Sequence, residues 1–364
     1  MKLATRKTLV QSWHESIRRL PAWLVLAALA LTLLLAIFLA VNFGAISIPT
    51  SVIARILLNS TGLFHFARQW NPTTEAIVLQ LRMPGVIGAG LVGAALATAG
   101  VLFQGMLRNP LADPYLIGTS SGAALGAAIA FILPYDTLYG LYFPLTPILA
   151  FVGAIFAVLF VYAIASVGGQ TPVVTLLLAG VVINAVLVAI QTLILTISPH
   201  TQFTLDSLFS WLAGGVSVIT WLPDIIIGGF VLVGFVLAWL LSGALDAFAL
   251  GEEGAAHLGL RVERYKLLVI LVGSLLTAAA VSISGLIGFV GLVVPHTMRL
   301  LLGPRHRLLL PASALAGAIF LILADLLART VIAPTTLPVG VFTALVGAPF
   351  FLFLLRNNKR AYRW

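Results

Sequence analysis

Apolar stretches long enough to cross a bilayer recur about ten times along this chain of 364 residues, and that recurrence restricts it to one kind of fold. They fall at Pro21–Phe43, Pro84–Met106, Tyr115–Leu133, Pro147–Val167 and Pro172–Ile197, and then at Trp221–Leu241, Leu267–Ser284, Gly285–Leu302, Leu308–Ala328 and Val339–Leu355. A hydrocarbon core takes about 20 helical residues, and a helix satisfies its backbone within its own segment. The block from Leu267 to Leu302 is read as two spans divided at Ser282-Ile283-Ser284-Gly285. A single helix of that length would run roughly 54 Å at 1.5 Å per residue. Charged residues make up only 9% of the chain, against about 25% in soluble domains, so lipid must be its main solvent. The fold class is therefore all-α: a polytopic membrane protein with about ten transmembrane helices.

The basic residues set the orientation. Lys2, Arg6, Lys7, Arg18 and Arg19 precede the run from Pro21 to Val41. That run exceeds the roughly 7–15 apolar residues of a signal-peptide core, so it reads as an uncleaved first span. With ten spans and the N-terminus inside, this cluster lies in the cytoplasm with Arg108, Arg261, Arg264, Lys266, Arg299, Arg305, Arg307, Arg356, Lys359, Arg360 and Arg363. Only Arg55, Arg68, Arg82 and Arg329 fall outside. Nine or eleven spans would put one terminal cluster outside, against the positive-inside bias. Both termini are thus expected in the cytoplasm, with segment 1–20 and tail 357–364 flanking a permease domain over 21–356. The net charge of +9 is spread singly among apolar runs, so it reads as a topology code and not as a nucleic-acid surface.

Residues Leu81–Gly126 carry the most local information. An Arg precedes an apolar helix with Gly/Ala faces; the chain breaks at Asn109-Pro110 and Asp113-Pro114 and restarts as a second small-residue helix. Small residues let membrane helices approach closely without any hydrophobic drive between them. Outside the spans, Gly44–Leu81 is the longest external segment, and a short interfacial helix is expected from Pro49-Thr50. Val331–Pro338 is also external. The longest internal loop is Ser242–Lys266, which holds Asp246, Glu252, Glu253 and Glu263.

Motifs for chemistry are sparse. No Gly-Lys pair occurs, so no phosphate-cradling loop of the G-x-x-x-x-G-K-[ST] type exists. Ser166-Val167-Gly168-Gly169-Gln170 resembles the signature peptide of ABC ATPases, but without that loop it reads as coincidence. The six His residues are dispersed and there is no Cys, which removes thiolate ligands, disulfides and Cys nucleophiles. His296, after Pro295, reads as a helix-end hydrogen-bonding group. Asp325 is the main acid read within a span, with Arg329 four residues on along the same face. Two readings stand for it, a local ion pair and a proton relay. A relay needs further acids at depth, so a conduit driven by another subunit is expected instead of a secondary transporter. No metal and no cofactor is implied.

The loop Leu250–Leu260 is too short and too polar to span. It is expected to form two short helical turns separated around Gly259, with a small Ala face that fits a partner's groove. The alternative is an ordinary solvated loop.

Taken in order, LRMPG at 81–85, NPLADP at 109–114, the Gly251-Glu252…Ala255…Leu258-Gly259 loop, GFVGLVVPH at 288–296 and LPVG at 337–340 resemble the membrane permeases of type II ABC importers for iron–siderophore, haem and cobalamin, the FecCD-type family. The resemblance covers about residues 20–356. It implies a dimer of ten-span subunits, expected to be a homodimer, with two ABC ATPase subunits below and an extracytoplasmic solute-binding protein docking above. It places the ATPase-coupling contacts at Gly251, Glu252, Glu253, Ala255, Ala256, Leu258, Gly259 and Leu260, and the docking contacts at Arg82 and Arg329. Gly85 stands where the family often has a second Arg. The resemblance also makes the fifth span the path-lining helix and Gln170–Thr175 its inner gate, with Thr171, Pro172, Thr175, Asn184 and Gln191 as path or gate residues. Asn184 and Gln191 lie seven residues apart, on one face by spacing, where helix–helix hydrogen bonding is the competing role. An iron–siderophore chelate is the expected cargo, with haem and cobalamin as alternatives.

Overall fold

The computed structural model describes residues 21–44, 46–133, 145–198, 202–216, 220–333 and 335–357. The terminal clusters Lys2–Arg19 and Lys359–Arg363, on which much of the orientation argument rests, lie outside the described residues. The helices are α1 (Ala22–Asn42), α2 (Thr50–Ser60), α3 (Pro72–Met106), α4 (Thr119–Ile132), α5 (Leu145–Ala165), α6 (Val173–Ile197) and α7 (Gln202–Leu212). After them come α8 (Trp221–Leu240), α9 (Ser242–Phe248), α10 (Glu252–His257), α11 (Val262–Ser284), α12 (Val290–Leu302), α13 (His306–Thr330) and α14 (Val339–Asn357). Each of the ten apolar segments becomes a helix. Among the described residues seven helices, α1, α3, α5, α6, α8, α11 and α13, are long and apolar enough to cross a membrane.

Several boundaries differ from expectation. Helix α3 begins at Pro72, twelve residues before Pro84. Asn71 accepts the Thr73 N–H at 2.9 Å, Pro72 takes the first turn where its missing N–H costs nothing, and a π-helical stretch at Ile77–Arg82 carries the helix on. Helix α11 begins at Val262, so the loop Ser242–Lys266 is largely helical. Its two short helices part at Gly251, and Gly259 follows the end of the second instead of dividing them. Helix α7 was not anticipated at all. The division of the long apolar block at Ser282–Gly285 is observed: Gly285 takes φ +62° and ends α11, and non-helical residues precede α12.

Helix α3 is the central pillar, packed against α13, α11, α12, α8 and α1. Its glycines let neighbouring backbones touch. A Cβ on Gly93 would sit 2.1 Å from the Gly317 carbonyl oxygen of α13, and one on Gly100 would sit 1.9 Å from that of Gly291 in α12. Helices α4 and α5 meet in the same way through Gly122 and Gly153. The elbow between α3 and α4 is built from its own polar side chains: Asn109 accepts the Leu111 N–H and Asp113 the Tyr115 N–H, at 2.9 and 2.8 Å. The Tyr115 hydroxyl then donates to Ile287 O at 3.0 Å, which pins the elbow to the break between α11 and α12. Burial pushes the Asp113 carboxyl above its ordinary range, and the Tyr115 N–H bond opposes that shift.

Candidate functional site

The expected site residues divide between the two ends of the bundle and one helix that joins them. At one end, Gly251 takes φ +95°, a conformation that favours glycine, and starts α10 after α9 has closed. Along α10 the chain turns Ala255 inward, fully buried in the main core cluster. Glu253, Ala256, His257, Leu258 and Gly259 face outward, with Leu258 63% exposed. This corrects the expectation that Ala255 belongs to a small face presented to a partner; Ala256 is the exposed alanine. Adjacent residues divide inward from outward positions here, and the register of a six-residue helix has no periodic signal long enough to read. Leu260 is half-buried, and its N–H donates to Ala255 O at 3.2 Å. Helix α9 is held from the other side, since Asp246 accepts the His306 N–H at 3.0 Å at the start of α13.

A polar knot behind α10 was not foreseen. Lys266, in the second turn of α11, donates from Nζ to Glu252 Oε2 at 2.7 Å, Glu263 Oε1 at 3.0 Å and Thr171 O at 3.1 Å. Glu263 Oε2 in turn accepts the Thr171 N–H at 2.9 Å. Both backbone groups of Thr171 are thereby held by α11, one residue before Pro172 caps α6. The Lys266 side chain is 4% exposed, whereas those of Glu252 and Glu263 are 43% and 33% exposed. In sequence these residues lie up to 95 apart, so spacing alone gave no sign of them.

Helix α6 buries a stripe of Leu176, Ala179, Gly180, Ile183, Leu187 and Gln191. Its other face, with Val174, Leu178, Val181, Val182 and Val188, is open. Asn184 lies at the middle of the helix on that open face and has no hydrogen-bond partner among the described residues. Asn184 and Gln191 are therefore not a pair, because Gln191 turns into the subunit. Thr175 is half-buried near the start of the helix.

At the other end of the bundle, Arg82 is 8% exposed. Its guanidinium donates to Val41 O at 2.8 Å, Asn42 O at 3.2 Å and Ile46 O. It thus caps the carbonyls at the C-terminal end of α1, with Gly44 packed against it. The expected pair of Asp325 and Arg329 forms, with Oδ2 2.9 Å from Nε and 2.8 Å from Nη2. Both line a cavity of about 1040 Å³ among α5, α7, α8, α11 and α13, together with Phe151, Trp211, Phe230 and Asp206. The cavity escaped sequence reading because α7, one of its walls, did. Asp224, in the first turn of α8, is a second buried acid that sequence reading passed over.

A bundle of apolar helices, with glycine-to-glycine contacts at its centre, a short amphipathic helix presented at one end and an open-faced helix between the ends, defines a multi-pass membrane permease. The chain belongs to the FecCD transport family, whose model matches residues 32–357. It is 43% identical to the cobalamin import system permease protein BtuC of Halobacterium salinarum, over 79% of this chain and 75% of that one. It is 38% identical to the iron(3+)-hydroxamate import system permease protein FhuB of Bacillus subtilis, over 93% and 84%. A solved inward-facing ABC transporter assigned to the metal-chelate type superposes with a TM-score of 0.77 at 29% identity, covering 92% of this chain and 99% of that one. This chain is the transport subunit of an ABC importer in the cell membrane; ATP hydrolysis belongs to a separate subunit.

Proposed function

We propose that this permease carries an iron–siderophore-type chelate inward through a path enclosed by α6 of two identical ten-span subunits, with both termini in the cytoplasm. Asn184 is the observation that carries this reading. An amide facing hydrocarbon at mid-bilayer leaves its donors and acceptor without partners, which is costly there. Facing a water-filled path or a second subunit, the same side chain is satisfied. The valines and leucines around it suit a large chelate held weakly over many surfaces, and not a bare ion gripped by charged ligands. The relative named for ferric hydroxamate matches nearly the whole chain, which supports the cargo.

Two ATP-hydrolysing subunits engage α10 through Glu253, Ala256, Leu258 and Gly259, while Ala255 holds the helix in place. An extracytoplasmic solute-binding protein docks at the end that carries Arg329. Thr171, Pro172 and Thr175 form the inner gate. The test is uptake by proteoliposomes containing the permease, its ATPase and its binding protein. ATP-driven accumulation of a ferric hydroxamate, in excess over haem and cobalamin, is expected. Uptake of cobalamin or haem alone would replace the cargo, and exchange independent of ATP would refute the importer reading.

A further inference from the structure

We propose that Lys266 is the positioning residue that transmits movement of α10 to the entrance of α6. The inference rests on the importer reading above. A buried ammonium needs partners, and Lys266, its side chain 4% exposed, is held by three oxygens. Those oxygens belong to three different parts of the chain: Glu252 of α10, Glu263 of its own helix and the Thr171 backbone. Glu263 completes a ring by accepting the N–H of the same residue.

The segment that Lys266 grips is stiff. Val167 and Gln170 exchange both backbone hydrogen bonds, at 2.9 and 3.1 Å, around Gly168 and Gly169. Pro172 has a ring-fixed φ and no N–H to lose, and it leads directly into α6. A displacement of Glu252 by a partner seated on α10 therefore reaches α6 through one cation and the Thr171-Pro172 link. Glu252 is the more exposed of the two carboxylates, 43% against 33%, and the one carried by α10. Glu263 and Thr171 form the inner pair, which keeps Lys266 attached to the gate segment as Glu252 moves. A clamp of this kind ties the gate to the position of α10, so nucleotide-driven movement is converted into opening instead of being dissipated.

The test measures ATP hydrolysed per chelate transported in the reconstituted full complex. Compared at equal amounts of bound ATPase, Lys266→Met and Glu252→Gln should each raise that ratio about tenfold, the size expected when contacting residues are coupled. The double variant should be no worse than Lys266→Met alone, and Lys266→Arg should restore most of the coupling. Glu252→Gln leaves Lys266 with Glu263 and Thr171, so it keeps the proposal testable if Lys266→Met fails to insert. A wild-type ratio in Glu252→Gln, or effects of the two changes that multiply, would overturn the clamp while leaving the importer reading intact. Absence of ATP-driven uptake by the wild-type complex would overturn both.

Discussion

Replacing Arg82 with Met should loosen the end of α1 before it affects any partner. The guanidinium serves three carbonyls, and only the bond to Val41 is fully buried. A hydrogen bond to a charged donor contributes about 1.5–3 kcal/mol when buried. Counting that bond in full and the two half-buried ones at a fraction gives about 3 kcal/mol for opening of this turn. At 1.4 kcal/mol per decade, that is about a hundredfold shift in the local opening equilibrium. The chain contains no Cys, so Ala40→Cys places one reporter at a fully buried position on α1. Its labelling rate follows the opened population when closing is fast. Labelling should rise about a hundredfold in Arg82→Met and by less in Arg82→Lys, which retains a charged donor. Unchanged labelling, together with a slower and less salt-dependent association of the binding protein, would refute the capping role and return Arg82 to the docking surface.

Gly100→Leu should prevent accumulation of folded permease, since even its Cβ would lie 1.9 Å from the Gly291 carbonyl oxygen; size-exclusion profiles after mild solubilisation check this. Ala256→Trp should weaken ATPase association while leaving the permease folded, whereas Ala255→Leu should lower thermal stability by about 1–3 kcal/mol through overpacking; pull-down and thermal unfolding separate the two. Asp113→Ala should cost about 1 kcal/mol by removing the side-chain acceptor at the start of a helical turn, and Asp113→Asn should cost less because it keeps that acceptor. Asn184→Leu should leave insertion intact and alter transport or dimerisation; a variant that matches wild type in both would place that face of α6 against lipid.

Most of the bundle was legible because hydrophobic length is a strong signal. Helices α5, α6 and α8 begin and end within two residues of the expected limits. The start of α3 was missed although Asn71-Pro72 is a helix-start signal, because the polar residues after it were read as an external segment. Helix α7 is short and amphipathic, and residues 202–212 do not stand out beside spans twice as long. The ion pair of Asp325 with Arg329 was legible because both lie on one helix, four residues apart. The knot at Lys266 and the cap at Arg82 were not, since each joins segments brought together only by the fold. Arg82 illustrates the limit of a charge count: it counts as one more external cation, yet its donors are turned inward.

The distribution of packing indicates where movement can occur. Helix α3 meets α12 and α13 backbone to backbone, so closely that a Cβ at Gly100 or Gly93 would overlap a carbonyl oxygen. Close-packed contacts of this kind have few alternative arrangements. Helix α6 differs. It buries a single stripe, leaves a whole face open, and is joined at its entrance through Thr171 to Lys266 and Glu263. Hydrogen bonds to a backbone can be exchanged for others without rebuilding a core, whereas interlocked glycines cannot be parted without opening a void. Rearrangement during transport is therefore expected at α6 and its turn, with α3, α12 and α13 as the fixed frame against which it moves.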